Sequence, residues 1–142
     1  MPQLLKADIA RLVPHAGSMM LLDQVIGHDQ QTIHCRAQLL PDDQHPLVRN
    51  GALPATALAE YGAQAMAVHG GLLAEPGTPP RPGRLVALGQ LALSIDALAH
   101  PSTLDIHARC LSGDRAGQIY EFEIVDGDKS LARGRATIMF AD

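Results

Sequence analysis

Glu60 and Gln64 stand one helical turn apart in NGALPATALAEYGAQAMAVHGG, Asn50 to Gly71, a stretch in which Glu60 is the lone carboxylate. Side chains at this spacing share one face of a helix. An ionised carboxylate is costly in apolar surroundings, and burial shifts carboxylic acids toward the range useful for general acid–base work. Gln64 is placed to orient either Glu60 or a ligand. The competing explanation is a structural carboxylate that reaches a partner or points out of the helix, and the local pattern does not separate the two.

The start of the same segment adds a second element. GALPA supplies Gly51, suited to close backbone approach, and Pro54, suited to a first helical turn. The unpaired amides of that turn, with the positive end of the helix dipole behind them, suit a carbonyl oxygen gaining negative charge, as in the enolate of a thioester. A partner imidazole is the usual complement in proton transfer. Of the seven histidines, His34 and His107 fall on the polar face of strands and His28 and His100 fall at turns. His69 falls at the helix end, where its charge would favour the dipole. Two candidates remain: His45, in the loop before the helix, and His15, in VPHAGSMMLLD.

These residues need a scaffold. With 142 residues, the chain is expected to form one domain large enough for its own core. Its composition is globular, at 46% hydrophobic and 18% charged. With two Phe, two Tyr and no Trp it lacks base-stacking platforms, and a net charge of -4 without a dense basic patch argues against nucleic acid. The N-terminus lacks the apolar run of a signal peptide and no long uncharged span occurs, so a soluble cytoplasmic protein without membrane attachment is expected. Cys35 and Cys110 sit in alternating stretches without CxxC spacing, which fits reduced core thiols rather than metal ligands.

ADIARLV, Ala7 to Val13, has the pattern of a short helix stopped by Pro14. MMLLDQVIGHD is expected as a strand, and TIHCRAQL alternates with the period of a half-buried antiparallel strand. After the long helix and a loop dense in Pro and Gly come four more strands, RLVALGQLALSIDAL, TLDIHARCLS, QIYEFEIV and LARGRATIMF, parted by turn signals. The helix is apolar nearly all round, so it must be largely enclosed. The fold class is α+β, a six-stranded antiparallel sheet wrapped around one long central helix. Such a sheet leaves an edge and a flank uncovered, and a homodimer is expected.

LVPHAGSMMLLDQVIGHD, Leu12 to Asp29, resembles the "LPHRxPxLLVDRV" opening of the β-hydroxyacyl–acyl carrier protein dehydratases of the FabZ/FabA type. ALPATALAEYGAQ, Ala52 to Gln64, resembles their "xxPGxLxxExxAQ" helix. PHAGSMMLLD with EYGAQ is most similar to the divergent subgroup found in aryl polyene and xanthomonadin-type pigment clusters. The resemblance covers the chain from about Ile9 to Phe140 and implies a single hot-dog domain over residues 1–142. It also implies dehydration of a 3-hydroxyacyl thioester, carried on acyl carrier protein or CoA, to a trans-2-enoyl thioester without metal or redox cofactor. In that family a helix carboxylate and a histidine of the partner subunit act across a dimer interface. Carried over, the carboxylate is Glu60, its neighbour is Gln64, and the backbone amide of Ala55 is the donor to the thioester carbonyl.

The sequence departs from the family pattern at the loop histidine. His45 is followed directly by Pro46 and lies one residue farther from the helix Pro than the family spacing, and Ala55 replaces the Gly after that Pro. His45 is therefore the first candidate for the catalytic histidine and His15 the reserve. Two alternatives accompany the dehydratase expectation: a hot-dog acyl thioesterase, whose class also carries a carboxylate on the central helix, and a non-catalytic subunit pairing with an active dehydratase in a heterodimer. An acidic carrier protein would need a basic docking patch, for which Arg81, Arg84, Arg109, Arg133 and Arg135 are the candidates.

Overall fold

In a computed structural model describing residues 4–10, 20–42, 44–74 and 83–140, one curved antiparallel sheet wraps a single long helix. The elements are β1 (Leu4–Leu5), α1 (Lys6–Ala10), β2 (Gln24–His28), β3 (Thr32–Leu39), β4 (Leu53–Pro54), a 3-10 turn (Ala55–Ala57), α2 (Leu58–Leu73), β5 (Gly83–Leu93), β6 (Ala97–Leu98), β7 (Ser102–Gly113), β8 (Gly117–Asp126) and β9 (Lys129–Phe140). The sheet runs β1-β2-β3-β7-β8-β9-β5, every neighbouring pair antiparallel. Six of these are the expected strands; the seventh, β1, is a two-residue addition that pairs Leu4 and Leu5 with Val25 and Gln24.

Alternation decides which face packs. Ile33, Cys35, Ala37 and Leu39 of β3 are buried, and Leu104, Ile106 and Ala108 of β7 continue the same face. Phe122 and Ile124 of β8 and Ala132 and Ala136 of β9 complete it. Against this concave wall α2 buries Leu58, Tyr61, Ala65, Met66 and Val68. Burying one such large apolar side chain stabilises the fold by about 1.5–3 kcal/mol, so this contact dominates the core. Small residues set how closely the layers approach. A Cβ on Gly62 would sit 2.8 Å from a ring carbon of Phe122, and one on Gly134 would sit 3.1 Å from the same ring, so Phe122 lies between two glycines of different elements. The two cysteines are free, and burial pushes the Cys35 thiol up to about 12.

Several boundaries differ from expectation. α2 does not stop at Gly70 and Gly71 but runs on to Leu73, because His69 is buried and Leu72 packs on the core. Tertiary contacts thereby outweigh the cost of two helical glycines, about 1 kcal/mol each. The expected strand from Met19 is regular only over Gln24–His28, and Met20 to Asp23 run beside the sheet without joining it regularly. RLVALGQLALSIDAL is not one strand. It turns at Ser94 to Asp96, where the Ser94 hydroxyl donates to the Ser130 carbonyl at 2.6 Å, and resumes as β6. β6 then pairs with β4 immediately before α2. α1 covers Lys6–Ala10; its expected continuation to Val13 lies outside the described residues. No helix among the described residues is long and apolar enough to cross a membrane.

Candidate active site

The covering of α2 is uneven. Ala59, Glu60, Ala63, Ala67 and Gly70 are only half-buried, and they follow one another at helical spacing. The flank of the helix that carries Glu60 is thus the one its own sheet does not close. Gln64, one turn on, is fully buried. Its carboxamide oxygen accepts the Leu21 N–H at 2.9 Å, and its Nε2 donates to Glu60 Oε1 at 3.3 Å. The Leu21 amide thereby fixes which way the carboxamide faces, and the carboxamide in turn holds one oxygen of Glu60.

His45 lies in the loop between β3 and β4, braced by its own N–H on the Asp42 carbonyl at 3.1 Å. Its Nδ1 accepts the Leu47 N–H at 3.1 Å and its Nε2 lies 2.8 Å from Tyr61 Oη. Both ring nitrogens are therefore engaged within the chain, beside Glu60 in sequence but on Tyr61 and not on the carboxylate. Burial pulls the His45 pKa below its ordinary value, against a smaller upward pull from Asp42. Burial raises that of Tyr61, with Asp23 adding to it. His15 lies outside the described residues.

The helix entrance differs from expectation. Asn50 and Gly51 both have positive φ, 54° and 76°, and Arg49 and Ala52 exchange two backbone hydrogen bonds across them. This is a two-residue hairpin turn of the kind that Asn-Gly favours. Gly51 is exposed and a Cβ there would meet nothing within 4 Å, so its backbone angle, not close approach, calls for glycine. Pro54 is half-buried in β4, paired with Ala97, and precedes the helical turn instead of opening it. The Ala55 N–H, expected to meet a thioester carbonyl, donates to the Asp96 carbonyl at 2.9 Å. It serves a substrate only if Asp96 gives it up.

His69 corrects a further expectation. It is fully buried inside α2 instead of charged at its end. Nε2 donates to the Asp29 carbonyl at 2.8 Å and Nδ1 accepts the Tyr120 hydroxyl at 2.7 Å. Burial lowers its pKa, with the neighbouring His28 acting the same way and bonds around Asp29 opposing. Sequence reasoning missed Tyr61 and Tyr120 altogether. The signal was available: the chain has only two tyrosines, and each holds a histidine.

A cavity of about 970 Å³ opens on the opposite face of the sheet, lined among others by His34, His107, Arg109, Glu123 and Arg133. His34 and His107 stack with ring centroids 4.3 Å apart, and Asp105 binds His34 Nε2 at 2.6 Å and Arg36 Nε at 2.9 Å. Burial pulls the Asp105 pKa upward, but these two bonds outweigh it and hold it low. Neither Glu60, Gln64 nor His45 lines this cavity. Open, and walled by charges of both signs, it lacks the apolar enclosure that an acyl chain needs.

Among solved structures, the chain is similar to a chain of the dehydratase heterocomplex ApeI:P from Xenorhabdus doucetiae, with 28% identity, a TM-score of 0.87, and coverage of 94% of this chain and 91% of that one. It also resembles zebrafish thioesterase superfamily member 2, at 18% identity, TM-score 0.68, and coverage of 96% and 95%. A thioesterase from Haemophilus influenzae matches at 11% identity and TM-score 0.68, covering 98% and 92%. The last two establish the shared hot-dog fold. No curated protein sequence matches. The family model described as ApeP dehydratase, ApeP-like, matches residues 7–142, and the chain belongs to that dehydratase family.

Proposed function

We propose that this dehydratase eliminates water from a 3-hydroxyacyl thioester borne by an acyl carrier protein, in the cytoplasm, giving the trans-2-enoyl thioester for a growing polyene. Glu60 is the acid–base group and His45 the second polar group of the site. The observation that carries this reading is the Leu21–Gln64–Glu60 relay, a half-buried carboxylate on an otherwise apolar helix, held by a fully buried carboxamide. A carboxylate built in this way is positioned before substrate arrives, which is where enzymes gain most in proton transfer. The reaction breaks the Cα–H bond, places charge on the thioester oxygen, and releases the β-hydroxyl as water.

The site works at an interface with a second hot-dog subunit. β5 supports this: among the described residues it lies at the sheet edge, bonded only to β9, and exposes Leu85, Val86, Leu88 and Leu93. Long apolar edges of this kind are ordinarily covered. The flank of α2 with Glu60 is only half-buried. The X. doucetiae relative belongs to a dehydratase heterocomplex, ApeI:P, which favours a different chain as the partner over a second copy. Carrier docking falls to exposed arginines such as Arg84, Arg109, Arg133 and Arg135.

Incubation with a 3-hydroxyacyl thioester, following enoyl product and free thiol together, tests the reaction. Enoyl formation is expected; thiol release without enoyl product would make the protein a thioesterase. A second reading, a subunit that only completes an active partner, is favoured by the attachment of His45 to Tyr61 within its own chain. In a mixture with the partner dehydratase, a Glu60→Gln chain that supports full turnover would establish it.

A further inference from the structure

The outer face of the sheet, turned away from α2, carries its charges in rows that the strand register fixes. Across β7, β8 and β9, Glu121 lies between Arg109 and Arg135, and Glu123 lies between His107 and Arg133. Alternate residues of a strand share a face, so β8 presents an acidic stripe there and β9, beside it, a basic one. One level beyond, half-buried Ile119 lies opposite Thr137, and Met139 on the same side of β9 is 39% exposed. Glu121, Arg133 and Arg135 are exposed and Glu123 is half-buried. Among the described residues, none of these four side chains is held in an ion pair or hydrogen bond, whereas Asp105 on the same face takes both His34 and Arg36. All four line the cavity of about 970 Å³, so the face is recessed where they stand.

We propose that this face binds a second copy of the chain about a twofold axis that runs along the strands between β8 and β9. Such an axis keeps every residue at its own level, exchanges the two strands and makes each contact twice. Glu121 then lies over the partner's Arg135, Glu123 over the partner's Arg133, and Ile119 over the partner's Thr137. The face is thus its own complement in charge and in apolar character. Other occupants fit less well. An anionic ligand or an acidic carrier protein meets Glu121 and Glu123 among the arginines, and a cationic partner meets Arg133 and Arg135. Sheets packed face to face are ordinarily about 10 Å apart, and the recess gives the long Glu and Arg side chains room to interleave. Of the arginines offered to the carrier, Arg133 and Arg135 then serve this contact and Arg84 remains. The contact does not use the β5 edge, so it joins two chains whose edges are each covered by a partner dehydratase. It is independent of the reaction proposed for Glu60.

Sedimentation equilibrium of the full chain tests this. Glu121→Arg with Glu123→Arg, or Arg133→Glu with Arg135→Glu, sets like charges against each other across the axis. Each double variant alone is expected to show half the mass of the wild type. An equimolar mixture of the two, in which the reversed stripes meet, is expected to regain the full mass. The wild-type Kd is expected to rise at least about 10-fold between about 0.05 M and about 0.5 M salt, as screening shortens the reach of the charges. A double variant that keeps the wild-type mass puts self-association elsewhere, as at β5, which is blind to these four residues, and overturns the proposal. So does a wild type that never doubles its mass, a mixture of folded variants that does not recover it, or a Kd indifferent to salt. Thermal melts by circular dichroism report folding. Where a double variant does not fold, Glu123→Lys and Arg133→Glu carry the test singly: each is expected to raise Kd at least about 10-fold, and an unchanged Kd in both overturns the proposal.

Discussion

Each end of α2 takes part in a histidine–tyrosine pair, Tyr61 with the loop residue His45 at one end and His69 with Tyr120 of β8 at the other, and the two pairs run in opposite directions. At the first turn, the Leu47 N–H occupies His45 Nδ1, so the ring donates and Tyr61 accepts. At the far end, the Asp29 carbonyl takes His69 Nε2–H, so the ring accepts and Tyr120 donates. One backbone group decides the polarity in each case, an amide in the first and a carbonyl in the second. Burial separates their uses. His69 is fully buried and all its capacity is spent on structure, whereas His45 is half-buried in a loop with its ring held by the Leu47 amide and Tyr61. A His–Tyr pair is thus not a functional signature by itself. Exposure and the direction of its bonds make the difference.

Four substitutions or conditions probe that contrast. Gln64→Ala removes the link from Leu21 to Glu60 and leaves a buried amide unpaired; kcat is expected to fall by about 100-fold, the low end of a positioned acid–base contribution. Steady-state kinetics beside a thermal melt check it, and unchanged kcat would place Glu60 outside the chemistry. Tyr120→Phe deprives the fully buried His69 Nδ1 of its donor at the structural end. About 1–3 kcal/mol of stability is expected to be lost in urea unfolding, with kcat unaltered in the folded protein.

His69 is one group through which acid should destabilise the fold. Its folded pKa lies below the unfolded value of about 6.5, so the native state binds fewer protons between the two values. Stability from this group is full above about pH 6.5 and is lost as pH falls toward the folded value. Melting temperatures at stepped pH from 7.5 downward check this, and a His69→Gln variant should flatten the slope in that window. The smallest effect belongs to Tyr61→Phe on stability, expected below about 1 kcal/mol because the half-buried His45 can turn to water. A loss as large as that of Tyr120→Phe would erase the distinction between the two ends.

Much of the scaffold was legible where one local rule ruled. TIHCRAQL alternates over its whole length and forms β3 with those bounds, and Glu60 and Gln64 at helical spacing do touch. Misreadings arose where distant groups decided. Gly70 and Gly71 signal a helix end, but the buried His69 and Leu72 carry α2 past them. Asn50-Gly51 is a strong hairpin signal that was absorbed into the helix start, although both residues need positive φ for a turn. The Asp96 carbonyl that claims the Ala55 amide comes from a bend in a stretch expected to be one continuous strand. The bonds of His45 to Tyr61 and His69 to Tyr120 span 16 and 51 residues, distances over which no periodicity reports.

The central claim is that Glu60 moves the protons of a dehydration. Turnover of a 3-hydroxyacyl thioester by Glu60→Gln, read as enoyl formation beside an unfolding curve, tests it most directly. The expected result is a loss of at least about 100-fold in kcat with the melting temperature held, because the amide keeps the shape and the Gln64 contact but takes no proton. Wild-type enoyl formation by a folded Glu60→Gln protein would contradict it.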